Sequence, residues 1–176
     1  MTGDGKQRHL VLVGLMGAGK TTVGERCAAR LGRPFVDTDD VVEAIARRSV
    51  QELFAESGES EFRRLERDAV RDAVASPSPT VIACGGGAVL DPENRRRLRA
   101  AGVVVWLRAV PAVLAERVGA DGIDRPLLAS GRAVTTLERL AVVRAAAYEA
   151  VAHAIVDTDG RTIDEVADAV LEVYKP

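Results

Sequence analysis

The stretch Gly14-Leu-Met-Gly-Ala-Gly-Lys20-Thr21 decides the fold that this sequence predicts. It fits the pattern G-x-x-x-x-G-K-[ST], a P-loop whose backbone N–H groups surround phosphate oxygens. The preceding run Leu10-Val11-Leu12-Val13 is apolar and partly β-branched, as expected for a buried parallel strand. Apolar residues then recur at helical spacing over 21–31, and Gly32 stands where a helix ends. Strand, loop and helix therefore follow one another in the order that phosphate binding requires.

The motif also assigns roles to its side chains. Lys20 is expected to reach the β- and γ-phosphates of a nucleotide, and the Thr21 hydroxyl to ligate Mg²⁺. The only other lysines are Lys6 and Lys175, so a chance lysine in a glycine-rich turn is the weaker interpretation. The residues predicted to bind the nucleotide here are Gly14, Gly17, Ala18, Gly19, Lys20, Thr21 and Thr22.

Length and composition limit the class of protein. A chain of 176 residues suits one domain, 1–176, with 47% apolar and 28% charged residues as in globular proteins. A formal charge of −2 and 3% aromatic residues give no reason to expect a nucleic-acid partner. Because no apolar stretch reaches transmembrane length and no signal segment is visible, we expect a cytoplasmic protein without a membrane partner. A monomer is expected as well, although no feature of the sequence specifies the oligomeric state.

The rest of the chain alternates predicted strands and helices. Further strands are predicted over 34–37, 81–84, 103–107 and 154–157. This alternation predicts an α/β, three-layer P-loop NTPase fold, in which helices cover both faces of a five-stranded parallel sheet. Residues 119–131 combine glycine, proline and charge with little periodicity, so a mobile lid is predicted over about 118–132.

Local signals predict where several helices begin. Asp39-Asp40 is expected to cap one helix, and Thr162 with Glu165 to form the capping box of the last helix. Gly58 separates a short helix from a longer one. Asp91-Pro92 opens a helix whose arginines between positions 95 and 99 are interpreted as a solvated face.

Acidic residues at strand ends are candidates for chemistry, because ligands of open parallel sheets bind beyond the carboxyl ends of the strands. Asp37 and Asp39 flank Thr38, and in extended chain this spacing places both carboxylates on one face. One could hold Mg²⁺ through water while the other accepts or orients a substrate hydroxyl proton; alternatively, the cluster only caps the next helix. Asp157 ends another apolar strand and is a rival carboxylate for the metal.

A triple glycine and several arginines complete the candidates. Gly85-Gly86-Gly87 would let a small ligand approach the backbone closely, although a plain strand-to-helix turn is the alternative. Arg63 and Glu66 share a helix face, either as a pair that aims a guanidinium at a carboxylate or as a surface ion pair. The same two interpretations, a ligand-binding guanidinium or a surface ion pair, apply to Arg117, Arg125, Arg144 and Arg161.

Taken together, these stretches resemble the shikimate kinase family from about Leu10 to beyond Arg161. The P-loop alone is typical of a whole superfamily. The ordered set of P-loop, Asp-x-Asp, Phe-Arg and triple glycine is far more specific to this family. One departure is Ala145-Ala146-Ala147 before Tyr148, where the family usually has a proline and a leucine. The matching segments are 14–21, 35–39, 49–54, 58–59, Phe62-Arg63 with Glu66, 85–89, 125–128 and Arg144 ahead of Tyr148.

The resemblance implies a nucleoside-monophosphate-kinase-like fold that phosphorylates the 3-hydroxyl of shikimate from MgATP. Asp39 would contact the substrate hydroxyls as a base or as an orienting group, with Asp37 near the metal, and Glu66 would support Arg63. The implied catalytic residues are Lys20, Asp39 and Arg125. The implied substrate-binding residues are Asp39, Arg63, Gly85, Gly86, Gly87 and Arg144. The implied nucleotide contacts beyond the loop are Arg117, Arg125 and Arg161, and the implied metal ligands are Thr21 and Asp37.

Two alternatives share the P-loop. Another small-metabolite kinase, resembling gluconate kinase, would keep 14–21 but has no reason to combine Phe62-Arg63 with the triple glycine. A module that binds ATP without turning over a metabolite would bind nucleotide indifferently to shikimate.

Overall fold

A parallel five-stranded sheet forms the middle layer of the protein. The computed structural model describes residues 8–120 and 133–175. The strands are β1 (His9–Val13), β2 (Phe35–Asp37), β3 (Val81–Ala83), β4 (Gly102–Arg108) and β5 (Ala154–Asp157). Their spatial order is β2-β3-β1-β4-β5, and every neighbouring pair is parallel. The predicted α/β fold with five parallel strands is confirmed.

Helices connect the strands and pack in two groups: α1 packs with α7, and α2 to α6 form a second group in which α2 packs on α3, α3 on α4, α4 on α6 and α5 on α6. The helices are α1 (Lys20–Leu31), α2 (Thr38–Ala46), α3 (Val50–Val74), α4 (Pro92–Ala101), α5 (Pro111–Ala120), α6 (Ala133–Val151) and α7 (Ile163–Tyr174). A single 3₁₀ turn, Ala88–Leu90, follows the triple glycine. Most of the predicted lid, and Arg125 with it, lies outside the described residues.

The central strand β1 leads directly into the P-loop. Leu10, Val11 and Leu12 are fully buried between β3 and β4, as a continuous apolar run predicts for a strand covered on both faces. A smaller apolar cluster around Val42 and Phe62 joins α2 to α3. The main apolar core, which includes β1, fixes the P-loop, and this smaller cluster fixes α2 against α3. Both segments therefore lie at the carboxyl ends of the strands.

The predicted cap of α2 was wrong by two residues. Asp37 is the N-cap: its Oδ1 accepts from the Asp39 N–H at 3.0 Å, and the helix begins at Thr38. The assumption that Asp37 and Asp39 share a face of extended chain was therefore also wrong, because Asp39 lies in the first helical turn. The helix start needs an acceptor for its free N–H groups, and the carboxylate nearest the strand supplies it.

The arginines of α4 are not simply a solvated face. Arg95 Nη1 donates to the carbonyl oxygens of Val89 and Leu90 at 2.6 and 3.1 Å. Arg99 Nη1 donates to three carbonyl oxygens at the C-terminus of α6, at 3.1 to 3.2 Å. Arg96 beside Glu93 stays on the surface, and Arg99 is exposed as well although it also contacts the end of α6. The solvated-face interpretation was wrong for Arg95, which is half-buried, because carbonyls left unpaired at the end of a turn attract long cationic side chains.

Other local predictions were confirmed. Gly58 has φ 79° and ψ 174°, so it interrupts α3 where two helices were predicted. Thr162 and Glu165 form the capping box of α7. Among the described helices, none combines the length and the apolar character that crossing a bilayer would require.

Candidate functional site

The P-loop follows β1 and wraps the N-terminus of α1. Its glycines Gly14, Gly17 and Gly19 have φ of 150°, 81° and 89°, which side-chain-bearing residues rarely adopt. A Cβ atom on Gly14 would collide with the carbonyl oxygen of Leu107, and one on Gly17 would lie 2.7 Å from that of Leu114. Glycine is therefore required at Gly14 and Gly17 for two reasons. The backbone conformation disfavours a side chain, and β4 and α5 pack too closely to leave room for one.

The two polar side chains of the loop are already held in place. Lys20 is the first residue of α1, and its Nζ donates to the Leu15 carbonyl oxygen at 3.0 Å. Thr21 Oγ1 donates to Asp37 Oδ2 at 2.7 Å. The ammonium thus lies over the loop's own backbone, and the hydroxyl points toward the end of β2.

One cleft of about 1070 Å³, the main cleft, runs along this edge of the sheet. The predicted site residues that line it are Gly17, Ala18, Gly19, Lys20, Thr21, Thr22, Asp37, Asp39, Arg63, Gly86, Gly87, Arg117, Arg144 and Arg161. Gly14 and Gly85 lie behind its wall and shape it through the contacts of their backbone. The cleft therefore brings together most of the positions singled out from the sequence.

The two rival metal carboxylates have different surroundings. Asp157 accepts from Arg108 Nε and Nη2 at 2.7 and 3.0 Å, and these hydrogen bonds hold the pKa of Asp157 below its usual range. Asp37, by contrast, lines the main cleft beside Thr21. Among residues 8–120 and 133–175, no three His, Cys, Asp or Glu side chains group as a metal site. A metal here would take a few protein oxygens and complete its shell with water and phosphate, as Mg²⁺ does.

Gly85 is the point where α2 and α3 approach the end of β3. Its N–H donates to Thr38 Oγ1 at 3.0 Å, and Thr38 is fully buried. A Cβ atom on Gly85 would collide with Asp39 Oδ1 and would lie 2.9 Å from Glu66 Oε1. Glycine at this position lets two carboxyl groups from different helices approach the same stretch of backbone.

Arg63 is anchored by a buried acid. Its Nη1 donates to Glu66 Oε2 at 2.6 Å, and Glu66 is only 2% exposed. Glu59 approaches the other side of the guanidinium at 3.3 Å from the surface. Burial raises the pKa of Glu66 to about 7, although the neighbouring guanidinium opposes the shift. The surface-ion-pair interpretation was wrong, because the acid partner lies in the wall of the cleft.

Arg144 and Tyr148 meet at the triple glycine. Arg144 Nη1 and the Tyr148 hydroxyl both donate to the Gly86 carbonyl oxygen, at 2.9 and 2.6 Å. Tyr148 also stacks on Trp106 of β4 with ring centroids 5.2 Å apart. Sequence reasoning did not assign Tyr148 a contact, although its spacing of four residues from Arg144 on one helix was a usable signal.

Arg117 and Arg161 gather around Thr158, next to the P-loop. Arg117 Nη1 donates to Thr158 Oγ1 at 2.9 Å and its Nη2 to the Thr158 carbonyl oxygen at 3.0 Å. A longer contact of 3.4 Å joins Arg117 to the Gly17 carbonyl oxygen. Arg161 is exposed at the same end of the cleft. Both cations therefore lie on the loop side, away from Arg63.

A phosphate loop facing a pocket with carboxylates and two anchored guanidiniums defines an ATP-dependent kinase of a small anionic alcohol. A sequence model of the family described as shikimate kinase matches residues 16–175. The chain belongs to the shikimate kinase family.

Individual relatives agree with this assignment. The chain is 48% identical over 165 residues to a shikimate kinase of Symbiobacterium thermophilum, covering 93% of this chain and 94% of that one. It is 43% identical to one of Salinibacter ruber, over 94% and 83% of the two chains. Among solved structures, a shikimate kinase from Acinetobacter baumannii in complex with shikimate superimposes with a TM-score of 0.91 at 33% identity, covering 96% and 93%.

The gluconate kinase alternative can be compared with a solved gluconokinase, which shares only the fold with this chain. A gluconokinase from Sinorhizobium meliloti has a TM-score of 0.64 at 21% identity, covering 96% of this chain and 91% of that one. The relatives named above therefore favour a shikimate kinase over that alternative.

Proposed function

We propose that this chain transfers the γ-phosphoryl group of ATP to the 3-hydroxyl of shikimate, giving shikimate 3-phosphate and ADP. The observation that carries the proposal is the main cleft, in which the P-loop and the pocket of Asp39, Arg63 and Arg144 line one continuous space. A nucleotide and a small alcohol held there would have their reacting atoms side by side, as phosphoryl transfer requires.

Arg63 and Arg144 bind the substrate carboxylate in this proposal. Both guanidiniums line the cleft, and both are fixed by other groups, Arg63 by Glu66 and Arg144 by the Gly86 carbonyl oxygen. A planar guanidinium recognises a carboxylate through parallel N–H donors, and less entropy is lost when it is already fixed. The backbone of Gly86 and Gly87 lines the space for the ring.

Asp39 receives the substrate hydroxyl. Its position in the first turn of α2, beside Gly85, places a carboxylate at the wall of the cleft between the arginines and the P-loop. As the hydroxyl oxygen bonds to phosphorus and the bond to ADP breaks, the hydroxyl proton passes to a base, and Asp39 is the candidate. An orienting role, with the proton leaving late, needs the same geometry.

The phosphate side uses the loop N–H groups, the N-terminal end of α1 and Lys20 to stabilise negative charge on the transferring group. Arg117 and Arg161 bracket the adenine in this proposal, and Arg125, which lies outside the described residues, contacts the transferring phosphate. The Thr21 hydroxyl and the Asp37 carboxylate are hard oxygen donors that suit Mg²⁺. Mg²⁺ held by these oxygens would supply positive charge that offsets the negative charge of the phosphates.

The chain acts as a single kinase domain in this proposal, and the lid expected at about 118–132 lies mostly outside the described residues. It acts as a cytoplasmic monomer with no nucleic-acid or membrane partner.

A coupled assay that follows ADP release tests this function. We expect turnover with shikimate and ATP and none with gluconate. Hydrolysis without acceptor should be slower by at least about a hundredfold, because a water molecule is not held in line with the γ-phosphate as a bound alcohol is. Turnover of gluconate without turnover of shikimate would contradict the proposal. Nucleotide binding that is indifferent to shikimate, with no turnover, would favour the ATP-binding module.

The choice of metal carboxylate can be tested by Asp37→Asn. Asparagine is also a good N-cap, so α2 keeps its acceptor while one charge near the metal is lost. We expect the Mg²⁺ concentration that gives half-maximal activity to rise about 10- to 100-fold. Asp157→Asn is the matched control and should leave the Mg²⁺ dependence unchanged, since Arg108 already engages that carboxylate. The opposite pattern would assign the metal to Asp157.

A further inference from the structure

Glu66 has one carboxyl oxygen whose role the pair with Arg63 does not explain. Oε2 accepts from Arg63, but Oε1 is buried and has no hydrogen-bond partner among the described residues. Oε1 lies against Gly85, where Asp39 Oδ1 also lies. Buried acceptors are rarely left unpaired, because the cost in free energy resembles that of a lost hydrogen bond. A proton on Glu66 Oε1 would turn this unpaired acceptor into a donor, and the Asp39 carboxyl lies on the same side of Gly85.

Elementary electrostatics decides which group holds that proton. Two carboxylates that share a low-dielectric site cannot both ionise cheaply, so one retains a proton at higher pH. Glu66 is buried, whereas Asp39 is partly exposed in the main cleft. Burial raises the pKa of Glu66 to about 7, and the Asp39 carboxylate pushes it in the same direction. The more buried acid is thus the one that keeps the proton.

The charges around Glu66 show why this matters for binding an anion. The ionisable groups that act on it come from α3, α2, α6 and the end of β3, and they are Arg63, Asp39, Arg144, Tyr148 and Cys84. Burial raises the pKa of both Tyr148 and Cys84, so these two stay neutral. Of the two acids beside Gly85, only Asp39 opposes the charges of Arg63 and Arg144 when Glu66 is protonated, and both do so when it is not. Glu59 approaches Arg63 from the surface in either state.

We propose that Glu66 is a proton-holding positioning residue: its Oε1 carries a proton that it donates toward Asp39, so that Glu66 fixes Arg63 without cancelling its charge. The pocket is then one unit of charge more positive toward an anionic substrate than it is with Glu66 ionised. Above neutral pH Glu66 loses the proton, the pocket loses that unit of positive charge, and affinity for the anion falls. The identity of that anion as shikimate depends on the proposed function, but the proton on Glu66 does not.

The proton can be observed directly without any substrate. Protein labelled with ¹³C at the glutamate side-chain carboxyl is titrated by NMR, and Glu66→Gln identifies the Glu66 resonance by its loss. We expect one glutamate to titrate at least two pH units above the exposed ones, whose pKa is about 4.3. If every glutamate carboxyl titrates below about pH 5.5, the proposal is overturned. The wild-type titration gives this answer even if the variant fails to fold.

Shikimate binding measured by calorimetry at about pH 6 and about pH 9 then tests the positioning role. Neither arginine nor a ligand carboxylate titrates in this range, so the wild type should lose at least about tenfold in affinity through Glu66. Glu66→Gln mimics the protonated acid and should lose less than about threefold. Glu59→Gln removes the exposed carboxylate beside Arg63 and should keep the wild-type loss. An equal loss in wild type and Glu66→Gln would overturn the proposal.

The two proposals fail differently. Absence of shikimate binding at any pH contradicts the proposed function, while the NMR titration still decides where the proton lies.

Discussion

Lys20→Met should reduce kcat by about a thousandfold while the protein stays folded. A preorganised charge aimed at the transferring phosphoryl group contributes most at the transition state, and removing one such group costs about 10² to 10³ in kcat. Lys20 supplies that charge from the first residue of α1, over the P-loop backbone. Methionine keeps the apolar length of the side chain, so steady-state rates at saturating ATP and shikimate isolate the loss of charge.

Lys175→Met is the matched control for this variant. The Lys175 side chain is 76% exposed and pairs with the surface carboxylate of Glu172 at 3.7 Å. We expect its kcat to equal that of the wild type. If Lys20→Met retained more than about a tenth of wild-type kcat with an unchanged unfolding temperature, the phosphate role of Lys20 would be wrong.

Arg63→Ala should raise the KM for shikimate about a hundredfold, with a smaller change in kcat. In the proposed site the guanidinium contacts a carboxylate that does not react, so the interaction would be similar in the ground and transition states and would be seen mainly in KM. Truncating one partner of a partly buried charge pair costs about 2–5 kcal/mol. Initial rates over a wide range of shikimate concentrations separate the two parameters.

Stability must be followed in the same variant, because Arg63→Ala leaves Glu66 without its cation. The cost is limited here, since Glu66 can remain protonated near neutral pH, where its pKa is about 7. Arg64→Ala is the control: Arg64 is the next residue on α3 but is 52% exposed and pairs with Glu61 and Asp68. Equal effects of the two variants on KM would contradict the assignment of Arg63 to the substrate.

The sequence predicted best those features that depend on neighbouring residues. The run Leu10–Val13 and the glycines that follow it specify a strand and a turn locally, and the structure has both. The capping box of Thr162 and Glu165 is likewise a short-range pattern, and it marks the start of α7. Such signals can be read without knowing what packs against them.

The features that were missed depend on contacts between distant parts of the chain. Tyr148 donates to the Gly86 carbonyl oxygen across 62 residues, and Thr38 accepts from the Gly85 N–H across 47. No local pattern reports a partner at that separation. The burial of Glu66 is of the same kind: its spacing from Arg63 predicts a pair, but only the packing of α3 against the sheet edge shows that the pair is not on the surface.

The most direct test of the whole account is a crystal structure with ADP, Mg²⁺ and shikimate bound. We expect the phosphates of ADP in the P-loop, the shikimate carboxylate between Arg63 and Arg144, and the 3-hydroxyl within about 3 Å of the Asp39 carboxylate, facing the empty γ-phosphate position. Shikimate bound outside the main cleft, or with its 3-hydroxyl turned away from the nucleotide, would contradict the account.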